Sequence, residues 1–311
     1  MTVRYRNLVY DSSRWDDFPF RPEDIVISTP PKCGTTWTQM LCAMLVFDST
    51  TFDRPMARIS PWLDMLTRSL DSVLADLAAQ THRRFIKTHT PLDGLPRDDR
   101  VTYLCVGRDP RDVSQSWDHH WSNMDLDAFM ANRAAAVGLD DLAELGPPPP
   151  PPPEDPVERF WAWVEDDTAF GPTLGGILHH FQTFWDRRDD ANVALFHYGD
   201  LSSDLVGQLR RLADVLDIEV SDARLEELAA AATFDRMKER APDLAPNADQ
   251  GWWRSTEGFF HRGTSGQWRH LLDDAGQVRY EARVAELVPP DLAAWAHDGW
   301  LGAPARAVVD A

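Results

Sequence analysis

The fold of this chain is constrained most by one short segment near its start. In this segment an apolar run leads through a glycine-containing loop into residues with the apolar spacing of a helix. Residues Ile25–Ser28 predict a buried strand, and Thr29–Pro31 predict the loop that ends it. After Gly34 the apolar residues recur at helical spacing, at positions 37, 40, 41, 44 and 45. A strand that runs directly into a helix in this way is typical of an α/β fold.

Strand and helix patterns also alternate along the rest of the chain. Short apolar runs predict further strands at residues 84–87, 101–106 and 192–196, and apolar spacing predicts helices from about Pro110 and over 205–216. The length of 311 residues suits one large α/β domain or two smaller ones. The sequence therefore predicts a single α/β domain over residues 1–311, with a central, mostly parallel sheet flanked by helices.

An unbroken run of seven prolines, Pro147–Pro153, interrupts this alternation. Such a run favours an extended left-handed helix and cannot join a sheet. We expect a surface insertion at about residues 137–156. The alternative is a docking site for a partner that reads proline-rich segments.

The charge balance and the cysteines exclude several classes of protein. A formal net charge of −19 argues against a nucleic-acid partner and against a basic membrane-surface protein. No stretch approaches the roughly 20 apolar residues of a membrane span, and the first residues show no secretory signal. Cys33, Cys42 and Cys105 form no metal-type pair and leave an odd thiol. We therefore expect a cytoplasmic protein without a disulfide framework.

Lysine is rare in this chain. Among 31 basic residues only Lys32, Lys87 and Lys238 are lysines. Arginine and lysine differ in shape and hydration, so these three positions are either remnants of a compositional bias or places that need a compact, mobile cation. Two of them fall within the motifs described next.

The loop before the first predicted helix carries the first candidate site. A helix N-terminus offers free backbone N–H groups and a positive dipole end, which together bind phosphate. Gly34 allows close approach, Thr35 and Thr36 add hydroxyls, and Lys32 adds a positive charge. A Walker loop has its lysine after the second glycine, whereas here lysine precedes Gly34 and Thr29 replaces the first glycine, so a kinase-type loop fits poorly. An ordinary threonine-capped helix is the simpler alternative.

The second candidate site lies at the end of the next predicted strand. Lys87 and His89 are two residues apart, so on a strand both side chains point the same way. Ligands of parallel α/β sheets bind at the carboxyl ends of the strands, and the imidazole pKa of about 6.5 suits a general base. The simpler alternative is a structural histidine.

Two further segments carry basic residues beside a predicted strand end or a glycine-rich turn. Arg108 follows a strand and Ser116 lies about two turns into the next helix, so both could bind a phosphate. Residues 259–268 combine paired aromatic residues, a basic residue and two glycines, which suggests a loop that closes over a ligand. A surface ion pair and an ordinary glycine-rich turn are the simpler alternatives.

Together the four segments resemble the cytosolic-type sulfotransferases, which use 3′-phosphoadenosine 5′-phosphosulfate (PAPS). The resemblance covers roughly residues 20 to 300 and rests on P-K-x-G-T-T-W after a strand, K-T-H before a proline, R-D-P-R-D-V, and a late R-G-x-x-G-x-W. The stretch Arg83–Leu95 is most similar to the actinobacterial branch, in particular to mycobacterial glycolipid sulfotransferases. The resemblance implies a P-loop-like strand-loop-helix that binds the phosphosulfate.

The resemblance also implies a role for each matching residue, with PAPS as co-substrate, PAP as product and no metal. His89 would be the catalytic base, and Lys87 would stabilise the transferring group. The residues that would hold the 5′-phosphosulfate are Lys32, Cys33, Gly34, Thr35, Thr36 and Trp37. The residues that would bind the 3′-phosphate or line the nucleotide are Arg108, Ser116, Tyr198, Phe234, His261, Arg262 and Gly263.

The sequence departs from the family pattern at several points. Cys33 replaces the usual serine, and His261 stands where arginine is common. Imidazole is charged only below about pH 6.5, so His261 would weaken 3′-phosphate binding or make it pH-dependent. Ala232 removes a hydroxyl near the adenine, and no dimerisation segment is recognisable after Trp268, which leaves the oligomeric state open.

The expected function is sulfuryl transfer from PAPS to a hydroxyl of a hydrophobic acceptor, with a glycolipid or other alcohol favoured and a phenol second. The alternatives are a P-loop kinase-like phosphotransferase that uses ATP, and a non-catalytic nucleotide- or glycolipid-binding protein. A third is an adaptor recruited through Pro147–Pro153.

Overall fold

Four parallel strands form the central sheet of the computed structural model, which describes residues 2–147, 150–167, 171–260 and 263–302. Their bounds are β1 (Ile25–Ser28), β2 (Phe85–Thr88), β3 (Thr102–Gly107) and β4 (Val193–His197). The order across the sheet is β2-β1-β3-β4.

The helices that surround this sheet are α1 (Thr35–Phe47), α2 (Met56–Ile59), α3 (Leu70–Ala79), α4 (Pro110–Asn123), α5 (Leu126–Val137), α6 (Pro156–Glu165), α7 (Leu174–Trp185), α8 (Tyr198–Ser203), α9 (Leu205–Val215), α10 (Asp222–Ala231), α11 (Phe234–Glu239), α12 (Ala241–Leu244), α13 (Asp274–Leu287) and α14 (Pro290–Asp298). The predicted α/β architecture with a parallel sheet is therefore confirmed. The predicted strand bounds are displaced by one residue at each of the three later strands, because the hydrogen-bonded ladder extends to the residue that follows each apolar run.

The parallel register brings the ends of the strands to one edge of the sheet. Ser28 of β1 pairs with Thr88 of β2, and Gly107 of β3 pairs with His197 of β4. The residues that follow each strand consequently lie near one another at this edge, where ligands of parallel sheets bind.

Alternating strand residues divide the core between the two faces of the sheet. Val26, Ile86 and Cys105 point to one face and pack with α3, α6, α7, α13 and α14. Ile27 and Leu104 point to the other face and pack with α1, α9 and α10. Burial of a large apolar side chain stabilises the fold by about 1.5–3 kcal/mol, so the two layers hold the strand ends firmly in place.

The helix predicted from about Pro110 is α4, and its start follows from two residues. The Asp109 carboxylate accepts a hydrogen bond from the Arg111 backbone N–H at 3.0 Å. Pro110 occupies the first helical position, where an N–H would have no intrahelical partner. This cap fixes the direction in which α4 leaves the sheet edge.

Residues 137–156 connect α5 to α6. They include a 3-10 turn at Asp140–Leu145, and Arg159 donates hydrogen bonds to the carbonyl oxygens of Pro153 and Glu154. Two of the seven prolines, at positions 148 and 149, lie outside the described residues. The surface insertion and the role of the proline run stay predictions.

Within the described part of the chain, no helix combines the length and the apolar character that crossing a bilayer requires.

Candidate active site

The loop between β1 and α1 folds into a tight turn through two left-handed residues. Lys32 has a φ of 69° and Gly34 a φ of 99°. A left-handed residue other than glycine costs about 1–2 kcal/mol, so Lys32 is held in place by its surroundings. The hydroxyls of Thr29 and Thr35 lie 2.5 Å apart and close the turn. The first N–H groups of α1 are thereby presented at the sheet edge, as an anion site requires.

Lys32 reaches from this loop towards α4. Its Nζ donates a hydrogen bond to Nδ1 of His120 at 3.3 Å and lies 4.7 Å from the centre of the Phe259 ring. Burial, with smaller contributions from the charges of Arg108 and Lys87, lowers the pKa of Lys32 to about 7. The ammonium and the free amine are therefore close in free energy near neutral pH.

Lys87 is buried at the end of β2. Its Nζ lies 4.2 Å from the centre of the Trp62 ring, a distance at which ring and cation attract each other. Burial lowers the pKa of Lys87 to about 7, and the carboxylate of Asp64 partly opposes this.

One ring nitrogen of His89 is hydrogen-bonded to the protein backbone. Its Nδ1 donates a hydrogen bond to the Thr29 carbonyl oxygen at 2.6 Å, and the ring meets Trp62 edge-on at 4.6 Å. Because a carbonyl oxygen only accepts, the neutral ring carries its proton on Nδ1 and its lone pair on Nε2. Burial, and after it the charge of Lys87, lowers the pKa of His89 well below its usual value. The imidazole is consequently neutral at pH 7 and able to take a proton.

Asp64 supports this strand end, and no pattern in the sequence points to it. Its buried carboxylate accepts hydrogen bonds from the hydroxyls of Thr88 at 2.7 Å and Thr90 at 2.6 Å. The two threonines flank His89, so Asp64 fixes the backbone on both sides of the imidazole.

Arg108 lies beneath the loop at the end of β3. Its guanidinium donates to the Lys32 carbonyl oxygen at 3.0 Å and the Thr264 carbonyl oxygen at 3.4 Å, and it lies 4.4 Å from the centre of the Tyr198 ring. Its Nε is buried and has no hydrogen-bond partner among the described residues. A buried donor without a partner is costly, and an anion at this position would satisfy it.

Aromatic residues form a wall next to Arg108. The Trp37 and Tyr198 rings meet edge-on at 5.3 Å, and Trp37 Nε1 donates to the Ala232 carbonyl oxygen at 2.9 Å. A Cβ added to Gly263 would clash with the Phe234 ring, which shows how closely the backbone at Gly263 approaches that ring. The aromatic rings predicted to line a nucleotide are therefore brought together.

Asp112 ties the glycine-rich segment to α4, and the sequence analysis did not single it out. Its buried carboxylate accepts from the backbone N–H groups of Gly266 at 2.8 Å and Gln267 at 3.1 Å. Burial, and after it the charge of Asp109, raises the pKa of Asp112 to about 6. Ser116 lies one helical turn after Asp112, on the same side of α4. His261 and Arg262 fall outside the described residues.

Cys33 contributes its backbone rather than a reactive thiol. The side chain is fully buried, and burial raises the pKa of the thiol to about 12. The neutral thiol therefore fills the turn, and the groups available to an anion at this position are the neighbouring N–H groups and hydroxyls.

A cleft opens beside Lys87. Its lining mixes the polar side chains of Gln39, Ser60 and Asn247 with the apolar side chains of Met65 and Leu244. An apolar cluster continues from it through Met65, Met124, Phe129, Ala245, Trp252 and Trp253. Lys87 lines this cleft, and His89 follows two residues later at the same strand end. Among the described residues no group of three metal-binding side chains could hold a metal ion.

Comparison with known proteins gives a consistent set of similarities. A family model for the sulfotransferase domain matches residues 22–287. The chain is 46% identical to a glycolipid sulfotransferase of Mycobacterium bovis, over 96% of this chain and 95% of the relative. An amine sulfotransferase of Oryctolagus cuniculus is 24% identical, over 86% of this chain and 81% of the relative.

Solved structures show the same fold. Retinol dehydratase in complex with androsterone and PAP superimposes with a TM-score of 0.68 at 21% identity, covering 91% of this chain and 89% of that one. A mouse sulfotransferase with PAP bound gives a TM-score of 0.65 at 18% identity, covering 90% and 89%.

Proposed function

The chain belongs to the sulfotransferase family and is a sulfuryl-transferring enzyme, and from this premise we propose that it carries a sulfuryl group from PAPS to a hydroxyl of a hydrophobic acceptor. A glycolipid is the favoured acceptor, and a phenol is the second. The observation that carries the proposal is the hydrogen bond from His89 Nδ1 to the Thr29 carbonyl oxygen, which leaves Nε2 as the basic nitrogen of the neutral ring. Its Nε2, which makes no hydrogen bond to a described residue, lies at the strand edge that also presents Lys32 and Lys87.

The anion-binding elements suit the two ends of PAPS. The turn formed by Lys32 and Gly34 would hold the 5′-phosphosulfate at the start of α1. Arg108, whose buried Nε lacks a partner among the described residues, would bind the 3′-phosphate together with Ser116. The rings of Trp37, Tyr198 and Phe234 would line the nucleotide, and Gly263 allows the last segment to approach it.

The reaction is an in-line displacement at sulfur. The acceptor oxygen forms a bond to sulfur while the bond from sulfur to the bridging oxygen of PAPS breaks, and PAP leaves. His89 takes the hydroxyl proton at Nε2 and later releases it to solvent. Lys32 neutralises the charge that develops on the bridging oxygen, and Lys87 stabilises the transferring group.

The choice of acceptor rests on the cleft beside Lys87 and on the relatives. The lining of this cleft combines the apolar side chain of Met65 with the polar side chains of Gln39 and Asn247. Met65 belongs to a buried apolar cluster that also holds Trp252 and Trp253. The Mycobacterium bovis relative is a glycolipid sulfotransferase. These points favour an amphiphilic acceptor. We further propose that the protein works in the cytoplasm.

Transfer of labelled sulfate tests the proposal directly. The enzyme is incubated with sulfur-labelled PAPS and either actinobacterial lipid extracts or simple phenols, and the labelled product is separated. We expect label in a lipid or phenol that disappears with His89→Ala. Stabilisation by ATP and magnesium rather than by PAP in a thermal-shift assay would instead favour a kinase-like phosphotransferase. PAP binding without transfer to any hydroxyl would favour a non-catalytic binding protein.

A further inference from the structure

His120 places a second imidazole beside the proposed active site, and none of the roles above uses it. It follows Asp112 by two helical turns and Ser116 by one on α4. Asp112 contacts the glycine-rich segment and His120 contacts Lys32, so this side of α4 faces the site along its length. The pair His119-His120 in the sequence looks like any exposed helical pair, and only the fold reveals the contact.

Three aromatic rings fix the orientation of the His120 side chain. It stacks on Trp117 with ring centres 5.3 Å apart and planes 26° from parallel. Trp253 meets it edge-on at 4.9 Å, and Phe259 lies at 6.1 Å. Aromatic contacts of this kind hold a ring in one plane, so the direction of Nδ1 is set by packing.

The fixed Nδ1 atom accepts a hydrogen bond from Nζ of Lys32 at 3.3 Å. In its ammonium form Lys32 only donates, so in that state the lone pair of His120 lies on Nδ1 and its proton on Nε2. Burial, and after it the charges of Lys32 and Lys87, lowers the pKa of His120 well below its usual value. His120 therefore stays neutral and keeps its lone pair available to Lys32.

We propose that His120 is a positioning residue for Lys32: its Nδ1 accepts a hydrogen bond from the ammonium and holds that charge between the loop that binds the phosphosulfate and the acceptor cleft. This inference rests on the sulfuryl transfer proposed above. His120 touches Lys32 rather than the reacting atoms, so its effect on the reaction passes through that side chain.

The hydrogen bond has a consequence for the charge of Lys32. Burial, Arg108 and Lys87 favour the free amine, Cys33 opposes them to a smaller extent, and together they lower the pKa of Lys32 to about 7. A hydrogen-bond acceptor for the ammonium stabilises the charged form and therefore raises the pKa of Lys32. His89 and His119 also face His120, whereas Trp253 and Phe259 present uncharged rings. Loss of the Nδ1 acceptor therefore lowers the pKa of Lys32 further, and the ammonium is lost at a lower pH.

Two substitutions separate this role from simple packing. His120→Phe keeps an aromatic ring between Trp117 and Trp253 but removes the acceptor. His120→Asn removes the ring but places an amide oxygen near the position of Nδ1. Both variants, and the wild-type enzyme, are assayed for the pH dependence of kcat/KM with PAPS, and PAP stabilisation in a thermal-shift assay reports whether each variant is folded.

We expect the alkaline limb of kcat/KM to move to lower pH by about one unit in His120→Phe, with a fall of about tenfold at pH 7.5. His120→Asn should keep the wild-type alkaline limb even if its rate is lower. The proposal is overturned if His120→Phe has the wild-type limb, or if the limb moves equally in both variants. Failure of the wild-type enzyme to use PAPS would instead refute the proposed function, so the two failures are distinguishable.

Discussion

His89 donates a hydrogen bond from Nδ1 to the carbonyl oxygen of Thr29 across 2.6 Å, and this bond joins the ends of two neighbouring strands. Thr29 follows the last residue of β1, and His89 follows the last residue of β2, with Ser28 and Thr88 paired in the sheet. The sheet register therefore determines which nitrogen of the imidazole carries the proton. A base on a flexible loop would have no such constraint.

Replacing this base should abolish turnover without affecting nucleotide binding. In His89→Ala we expect kcat to fall by about 10²- to 10⁴-fold, the usual contribution of a general base. PAP affinity, measured by calorimetry, should change little because the imidazole faces the acceptor. The remote, partly buried His82 supplies the control His82→Ala, which should keep wild-type activity. Turnover retained in His89→Ala would remove this residue from the mechanism.

Replacing Lys32 should impair both chemistry and nucleotide binding. In Lys32→Met we expect kcat to fall by about 10²- to 10³-fold, because the developing charge on the leaving oxygen loses a preorganised cation. The KM for PAPS should rise as well. Lys238 is exposed on α11, so Lys238→Met is the matched control. An unchanged rate in Lys32→Met would refute the role of this amine.

Because Nε of Arg108 has no hydrogen-bond partner among the described residues, we expect this side chain to influence nucleotide selectivity. In Arg108→Gln we expect PAP to bind about 10- to 100-fold more weakly, the range for hydrogen bonds to charged groups. Adenosine 5′-phosphate lacks the 3′-phosphate and should lose less than about threefold in affinity. Arg97→Gln, in a half-exposed ion pair with Asp190, serves as the control. Equal losses for both nucleotides would show that Arg108 does not read the 3′-phosphate.

Because Gly263 lies close to the Phe234 ring, we expect replacement of this glycine by alanine to weaken PAP binding strongly. Gly263 and Gly251 both have left-handed φ values, 64° and 71°. A Cβ on Gly263 would clash with the Phe234 ring, whereas one on Gly251 meets nothing within 4 Å. Gly251→Ala should therefore lose only about 1 kcal/mol of unfolding free energy. Gly263→Ala should also weaken PAP binding by calorimetry at least about tenfold, and equal PAP affinities in the two variants would contradict this account.

We expect low pH to destabilise the fold, because a buried imidazole that stays neutral in the folded protein becomes protonated in the unfolded chain. Burial lowers the pKa of His180 to about 3, and its Nε2 lies 3.0 Å from the Ser28 hydroxyl. The unfolded chain binds this proton near pH 6.5 and the folded chain does not, so the stabilising contribution is present above pH 6.5 and is lost as the pH falls towards 3. His180→Gln should reduce the slope of unfolding free energy against pH by up to about 1.4 kcal/mol per unit over this range. Denaturant titrations at several pH values measure it, and an unchanged slope would count against this assignment.

The sequence alone predicts those elements that are determined by residues close together in the chain. One short segment specifies a strand-loop-helix: the apolar run Ile25–Ser28 is followed by Gly34 and then by apolar residues at helical spacing. Lys87 and His89 are predictable because both lie at the end of one strand of the same sheet, Lys87 within β2 and His89 directly after it. Where an element is determined by residues close together in the chain, the sequence is sufficient to predict it.

Asp64, Asp112 and His120 could not be predicted because their partners are distant in the chain. Asp64 binds hydroxyls of residues 24 and 26 positions away, and Asp112 binds N–H groups 154 and 155 positions away. His120 meets Lys32 across 88 positions. Nothing adjacent to these residues marks them, since their roles arise only when the helices pack on the sheet edge.

Because lysine is scarce in this chain, an amine-directed reagent could label the active site selectively. An ordinary lysine is less than about one part in a thousand free amine at pH 7. Lys32 and Lys87, with pKa values lowered to about 7, are free amines to a large extent, and the chain has only one other lysine. An amine-directed electrophile small enough to enter the cleft would therefore label the site in preference to the protein surface. Protection by PAP, read by mass spectrometry, would then report occupancy of the site without any knowledge of the acceptor.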